Sequence, residues 1–133
     1  MSHPLANGLK VFREAVYLTD LSQIKRIPIL SDGTAGRVSV LVSRTGTVFD
    51  DLHVDERGIL VCDFYGGRLL SYSLTGWMRG QSPVVFSSPS SITPARGPLL
   101  SPGTLIVTEK GELGELTSTN GNRVSLVPAA LLE

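Results

Sequence analysis

Phe49 to Tyr72, FDDLHVDERGILVCDFYGGRLLSY, decides the fold: a short apolar-polar alternation over Leu52-His53-Val54 is followed by a turn, a stronger strand ending in Cys62-Asp63, and a third strand after Gly66-Gly67. Working outward, the same text recurs on both sides. A short strand (Leu9 to Val11, Leu52 to Val54, Ile92) leads each time into a stronger one ending in Thr19-Asp20, Cys62-Asp63 or Thr108-Glu109, endings that lie about 43 to 46 residues apart. Third strands are expected at QIKRIPI, GGRLLSYSL and GELGELT, and fourth strands at RVSVLV, PVVF and RVSLV. Four strands per repeat at this period is the text of a β-propeller blade.

The expected fold class is therefore all-β, a partial β-propeller domain over residues 1–133 with blades at approximately 6–43, 49–87 and 88–128. The turns agree. Asp32-Gly33 and Asn120-Gly121 supply residues that tolerate positive φ at tight reversals, Gly58 follows Asp55-Glu56-Arg57, and Gly66-Gly67 reverses the chain before Arg68. None of these glycine-rich loops has the spacing of a phosphate-binding loop leading into a helix. A blade buries its faces only against neighbours, so three in a row are expected either to be completed by a homodimer or a second half-propeller chain, or to be a fragment of a longer protein.

Composition narrows the function classes. Twelve basic and twelve acidic residues cancel without long runs of either sign, which gives no footprint for nucleic acid or for an anionic membrane and favours a small-molecule partner. Cys62, the sole cysteine, rules out an internal disulfide and a cysteine-based metal site and suits a reducing compartment. The first twenty residues hold no unbroken apolar stretch of signal-peptide length, so a cytoplasmic location is the expectation. His3 belongs to a terminal segment expected to be mobile.

The segments ANGLKV (6–11), YLTD (17–20), IKRIPI (24–29), DDLHVDERGIL (50–60) and YGGRLLSY (65–72) together resemble the gluconolactonase, regucalcin and senescence-marker-protein superfamily of six-bladed propellers. The last repeat matches more loosely, through Pro89 to Ile92 and Leu105 to Thr108. The resemblance implies that this chain corresponds to the C-terminal half of such a ring. It further implies one divalent cation at the end of the channel, held in hydrolytic members by a glutamate, two asparagines and an aspartate. Of these, Asn7 and Asp50 have counterparts here.

The inner strand of each blade lines the channel of a propeller. Asn7, Asp50 and Ser90, two residues before Leu9, Leu52 and Ile92, are therefore expected at equivalent positions around its mouth. An amide oxygen and a carboxylate are hard ligands that suit Ca²⁺, Mg²⁺ or Mn²⁺, and two such ligands fall short of a full shell. Asp50 can also act as general base, and His53, alternating with Leu52 and Val54, as a proton shuttle, which makes Asp50 and His53 the catalytic candidates. Ser90 and Asp51 are the substrate-binding candidates. Asn-Gly and Asp-Asp are equally ordinary turn formers, and a histidine on a strand is as often structural, so both roles stay open for each.

Three functions follow from this set. The first is a lactonase-like enzyme, metal-assisted in lactone or ester hydrolysis. The second is a metal-independent cyclase or isomerase of natural-product biosynthesis, working by orientation and proton transfer. The third is a non-catalytic half-propeller that serves as an interaction module.

Overall fold

The computed structural model describes residues 5–114, 117 and 119–132, so His3 lies outside it. Its strands form three antiparallel sheets in chain order. The first is β1 (Ala6–Phe12), β2 (Ala15–Asp20), β3 (Gln23–Pro28) and β4 (Ser39–Ser43); the second is β5 (Phe49–Asp55), β6 (Gly58–Asp63), β7 (Arg68–Tyr72) and β8 (Met78–Gln81). The third contains β9 (Pro89–Pro94), β10 (Thr104–Glu109) and β11 (Arg123–Pro128), followed by a 3-10 turn at Ala129–Leu132. Every sheet is an up-and-down meander, and β5 packs beside both β1 and β9. This is β-propeller architecture, with the first strand of each blade innermost. No helix among the described residues is long and apolar enough to cross a membrane.

Alternation along the strands places two cores between the three sheets. Tyr17 and Ile24 from the first blade meet Phe49, Leu52, Val54, Ile59 and Leu70 of the second. Cys62, Leu69 and Phe86 meet Ile92, Leu105 and Val107 of the third. The second blade thus buries both faces, the condition a blade needs for stability.

Two strand expectations are corrected. The fourth strand of the second blade is Met78–Gln81, ahead of PVVF, because Ser73 and Gly76 close a tight turn there: Ser73 N donates to Trp77 O, Gly76 N donates to Ser73 O, and Gly76 has φ 90°. Pro83 has no N–H for a sheet ladder, and Phe86 instead buries its ring in the second core. In the third blade RVSLV is not a fourth strand but pairs directly with β10, Leu105 opposite Val127 and Glu109 opposite Arg123. The described part of GELGELT carries no strand, and Glu115 and Leu116 lie outside the described residues. Between β10 and β11, Glu112 N donates to Asn120 O, and a Cβ on Gly111 (φ 79°) would clash with Asn120 O.

The acid closing each second strand is buried and paired with a base from the next strand. Lys25 Nζ lies 2.6 Å from Asp20 Oδ2, Arg68 Nε lies 3.2 Å from Asp63 Oδ2, and Arg123 Nε lies 2.8 Å from Glu109 Oε1. The repeat of this pairing identifies β11 as the structural counterpart of β3 and β7. Burial would raise the Glu109 carboxyl, but hydrogen bonds from Arg123, Ser125 and the Ser87 amide outweigh it and hold the group below its ordinary range.

Candidate active site at the mouth of the inner strands

Asn7 and Asp50 do not stand in turns. Each lies inside an inner strand where the ladder register slips, between Ala6 and Leu9 of β1 and between Phe49 and Leu52 of β5. Such bulges re-aim side chains away from the regular alternation. The Asn7 side chain comes near enough to Asp50 to favour its carboxylate form, so the first two blades bring these two residues together.

Gly8 and Thr19 allow this approach. A Cβ on Gly8 would lie 2.7 Å from Asp51 Cα and 2.9 Å from Asp50 O, so only glycine lets β1 run this close to β5. Thr19, fully buried, accepts from Gly8 N at 2.8 Å and donates to Asp50 O at 2.6 Å, pinning both bulges through one hydroxyl. Thr19→Val keeps the shape and removes the pin, leaving a buried donor and acceptor unmade. A loss of about 1–3 kcal/mol is expected in urea unfolding.

The Asp50 carboxyl is pushed above its ordinary range, first by burial and then by the neighbouring charge of Asp51, with the nearby Asn7 side chain opposing. Asp51 itself is a brace across all three blades. Its Oδ1 receives Lys10 Nζ of β1 at 2.9 Å, and its Oδ2 receives Ser91 Oγ of β9 at 2.8 Å. Ser90 lies beside Asp50 in the wall of an open depression, its hydroxyl 3.1 Å from Thr108 Oγ1. Glu109, Lys110, Leu113 and Arg123 complete much of that wall.

His53 sits farther along β5, opposite Leu60, with Nε2 3.6 Å from Asp55 Oδ2. Three residues of strand, about 10 Å, separate it from Asp50, so the fold does not bring the two catalytic candidates into contact. Burial lowers the His53 imidazole from its usual range more than Asp55 raises it, which keeps the ring neutral at pH 7. Asp55 is held down mainly by Arg57, whose side chain binds it at 2.7 and 3.0 Å, against the opposing effect of burial. The Cys62 thiol is buried in the second core and pushed well up by that burial, which leaves it a packing group.

Lys110, directly after β10, and Arg123, the first residue of β11, carry no motif in the sequence that marks them as residues of this wall. The repeated acid after Thr19, Cys62 and Thr108 was visible, and it marks the strand ends from which this wall is built.

No protein-family model and no curated protein matches the chain. Solved structures do. A luciferin-regenerating enzyme superposes with a TM-score of 0.74 at 19% identity, over 93% of this chain and 45% of that one. Regucalcin of Agrobacterium tumefaciens, described as a calcium-binding protein, superposes with a TM-score of 0.69 at 17% identity, over 93% of this chain and 46% of that one. The chain spans about half the length of these relatives in structure, and its fold is that half of a regucalcin-like propeller.

Proposed function

We propose that this chain provides part of the active site of a lactonase-like enzyme that hydrolyses a small lactone or ester at the channel mouth with the help of a divalent cation. The pairing of Asn7 with Asp50 at matching bulges of β1 and β5 is the observation that carries this reading. Their oxygens fit Ca²⁺, Mg²⁺ or Mn²⁺, and the cation would polarise the scissile carbonyl. Among the described residues no group of three or more His, Cys, Asp or Glu is gathered for a metal, so the remaining ligands must come from other amides, from water or from the rest of the ring. Asp50 takes the proton of an attacking water, and Ser90 orients the substrate in the depression.

Titration of the protein with Ca²⁺, Mg²⁺ and Mn²⁺ by calorimetry, together with turnover of simple lactones, tests this. Asp50→Asn is expected to weaken cation binding by more than about tenfold, the loss typical of mere outer-shell partners. Affinity in the parent falls as pH drops through the raised Asp50 pKa, because proton and metal compete for the carboxylate. For stability the sign is opposite. A carboxyl whose pKa is raised on folding costs the folded state stability as pH rises through that pKa. The metal-free Asp50→Asn protein is thus expected to melt at or above the parent temperature at pH 7. Unchanged cation binding and turnover in this variant would end the assignment.

One observation favours a second reading, a metal-independent cyclase or isomerase: a carboxyl raised by burial also suits proton donation to a substrate held by orientation. Turnover that survives chelators would select it.

A further inference from the structure

The same strand positions are filled differently at the two junctions between blades. In the first blade Tyr17 of β2 stands opposite Arg26 of β3, its ring is buried against the second blade, and the Arg26 guanidinium lies 6.0 Å over that ring. One repeat later the matching pair is Leu60 and Ser71. At the start of the same strands Ala15 gives way to Gly58. Smaller side chains at three matching positions leave space, and the structure has a cleft of about 290 Å³ there, between the second and third blades. Leu60, Leu105, Ala129 and Leu132 give it an apolar floor. It opens at the Asp55 end of β5, about 16 Å along the strand from Asp50. Its space is set by residues inside two neighbouring sheets.

The rim of this cleft is polar. β8 slips register between Met78 and Gly80, so Arg79 is the extra residue of a bulge and turns to the cleft, where its Nη1 donates to Arg57 O. Arg57 itself is committed to Asp55, which it binds at 2.7 and 3.0 Å, and that pair cancels its own charge. Among the described residues no carboxylate pairs with the Arg79 guanidinium. The Ser71 hydroxyl, in the same wall, makes no hydrogen bond to any described residue. An apolar floor edged by one free guanidinium and one free hydroxyl suits a small organic anion, because apolar burial supplies affinity and the few polar groups fix orientation.

The geometry points to a second small-molecule site in this cleft, for a monocarboxylate with a compact apolar body. The carboxylate pairs with Arg79 and accepts from the Ser71 hydroxyl, and the body lies on Leu105 and Leu132. At about 30 Å³ of liquid volume per water, the cleft holds about ten waters, room for a ligand of about as many non-hydrogen atoms. A ligand seated there touches both blades and stabilises their junction by mass action. The site stands independently of the cation reading of the mouth.

Phenylacetate and its neutral isostere phenylacetamide have this size, and titrating each into the isotopically labelled chain under heteronuclear NMR tests the site. Phenylacetate should saturate with a dissociation constant of about 1 mM or tighter and shift the resonances of Ser71, Leu105 and Leu132. Phenylacetamide should bind at least about tenfold more weakly. Arg79→Gln, an exposed change on an edge strand, should keep the parent fold and reduce phenylacetate to the affinity of the amide. Leu60→Tyr combined with Ser71→Arg copies the first junction, fills the cleft and should abolish binding of both; if that double variant does not fold, Arg79→Gln decides alone. No saturable binding up to about 20 mM, shifts confined to Asp50 and Ser90, equal affinity for acid and amide, or undiminished phenylacetate binding in Arg79→Gln would each overturn the site.

Discussion

Asp63→Ala is expected to destabilise the protein by about 3–5 kcal/mol, the cost of removing one partner of a buried ion pair. Asp63 is fully buried, its Oδ1 accepts from Gly66 N at 3.1 Å, and its Oδ2 lies 3.2 Å from Arg68 Nε without the alignment of a hydrogen bond. Alanine strands the Arg68 guanidinium in a site built for a carboxylate and leaves the Gly66 amide unmade. Against a total of about 5–15 kcal/mol for a domain, that loss is large. Asp63→Asn, which retains an acceptor for Gly66, should cost distinctly less. Urea unfolding of the three proteins measures the order, and a loss below about 1 kcal/mol for the alanine variant would show that the pair is not a structural anchor.

Gly8→Ala should damage function more than its single methyl suggests. The new Cβ meets backbone, Asp51 Cα at 2.7 Å and Asp50 O at 2.9 Å, so β1 and β5 must part. Overpacking of this kind costs about 1–3 kcal/mol. The larger effect falls on the site, because the same movement stretches the Thr19 pin and separates Asn7 from Asp50. A displacement approaching 1 Å can cost about 100-fold in turnover. Gly8→Ala should therefore lose stability and activity together, whereas Asp50→Asn loses activity at unchanged or higher stability. Calorimetric melting beside steady-state kinetics on both variants separates the two, and full activity in Gly8→Ala would show that the inner-strand spacing does not govern the mouth.

The strands that read clearly from sequence are those buried on one or both faces. Leu52, Val54, Ile59 and Val61 alternate or cluster as a packed sheet demands, and the blade class follows from their recurrence around Tyr17 and Val107. Outer strands have no such constraint. Met78–Gln81 is an edge strand with little apolar content, whereas Pro83 to Phe86 looks more strand-like and is held instead by Gly67 O. In the third blade GELGELT reads as the third strand, which hid the fact that RVSLV answers to β3 and β7. Its direct pairing with β10 and the ion pair of Arg123 with Glu109 reveal it.

At the site, Asn7, Asp50 and Ser90 were legible because each enters an inner strand at the same offset. Asp51 reads locally as one more polar residue at the mouth, and its ties to Lys10 and Ser91, some 40 residues away on each side, are invisible without the fold. The same holds for Thr19, whose hydroxyl reaches two other strands.

Thr19 has a sequel in the next blade. Its counterpart is Cys62, whose weakly donating thiol lies in an apolar core. The hinge between the first and second blades is thus bolted through backbone atoms, and that between the second and third is tied by the side chains of Asp51 and Ser91. The first junction thus rests on one hydroxyl that reaches backbone in both blades, whereas the second, beyond its apolar core, rests on contacts made by side chains.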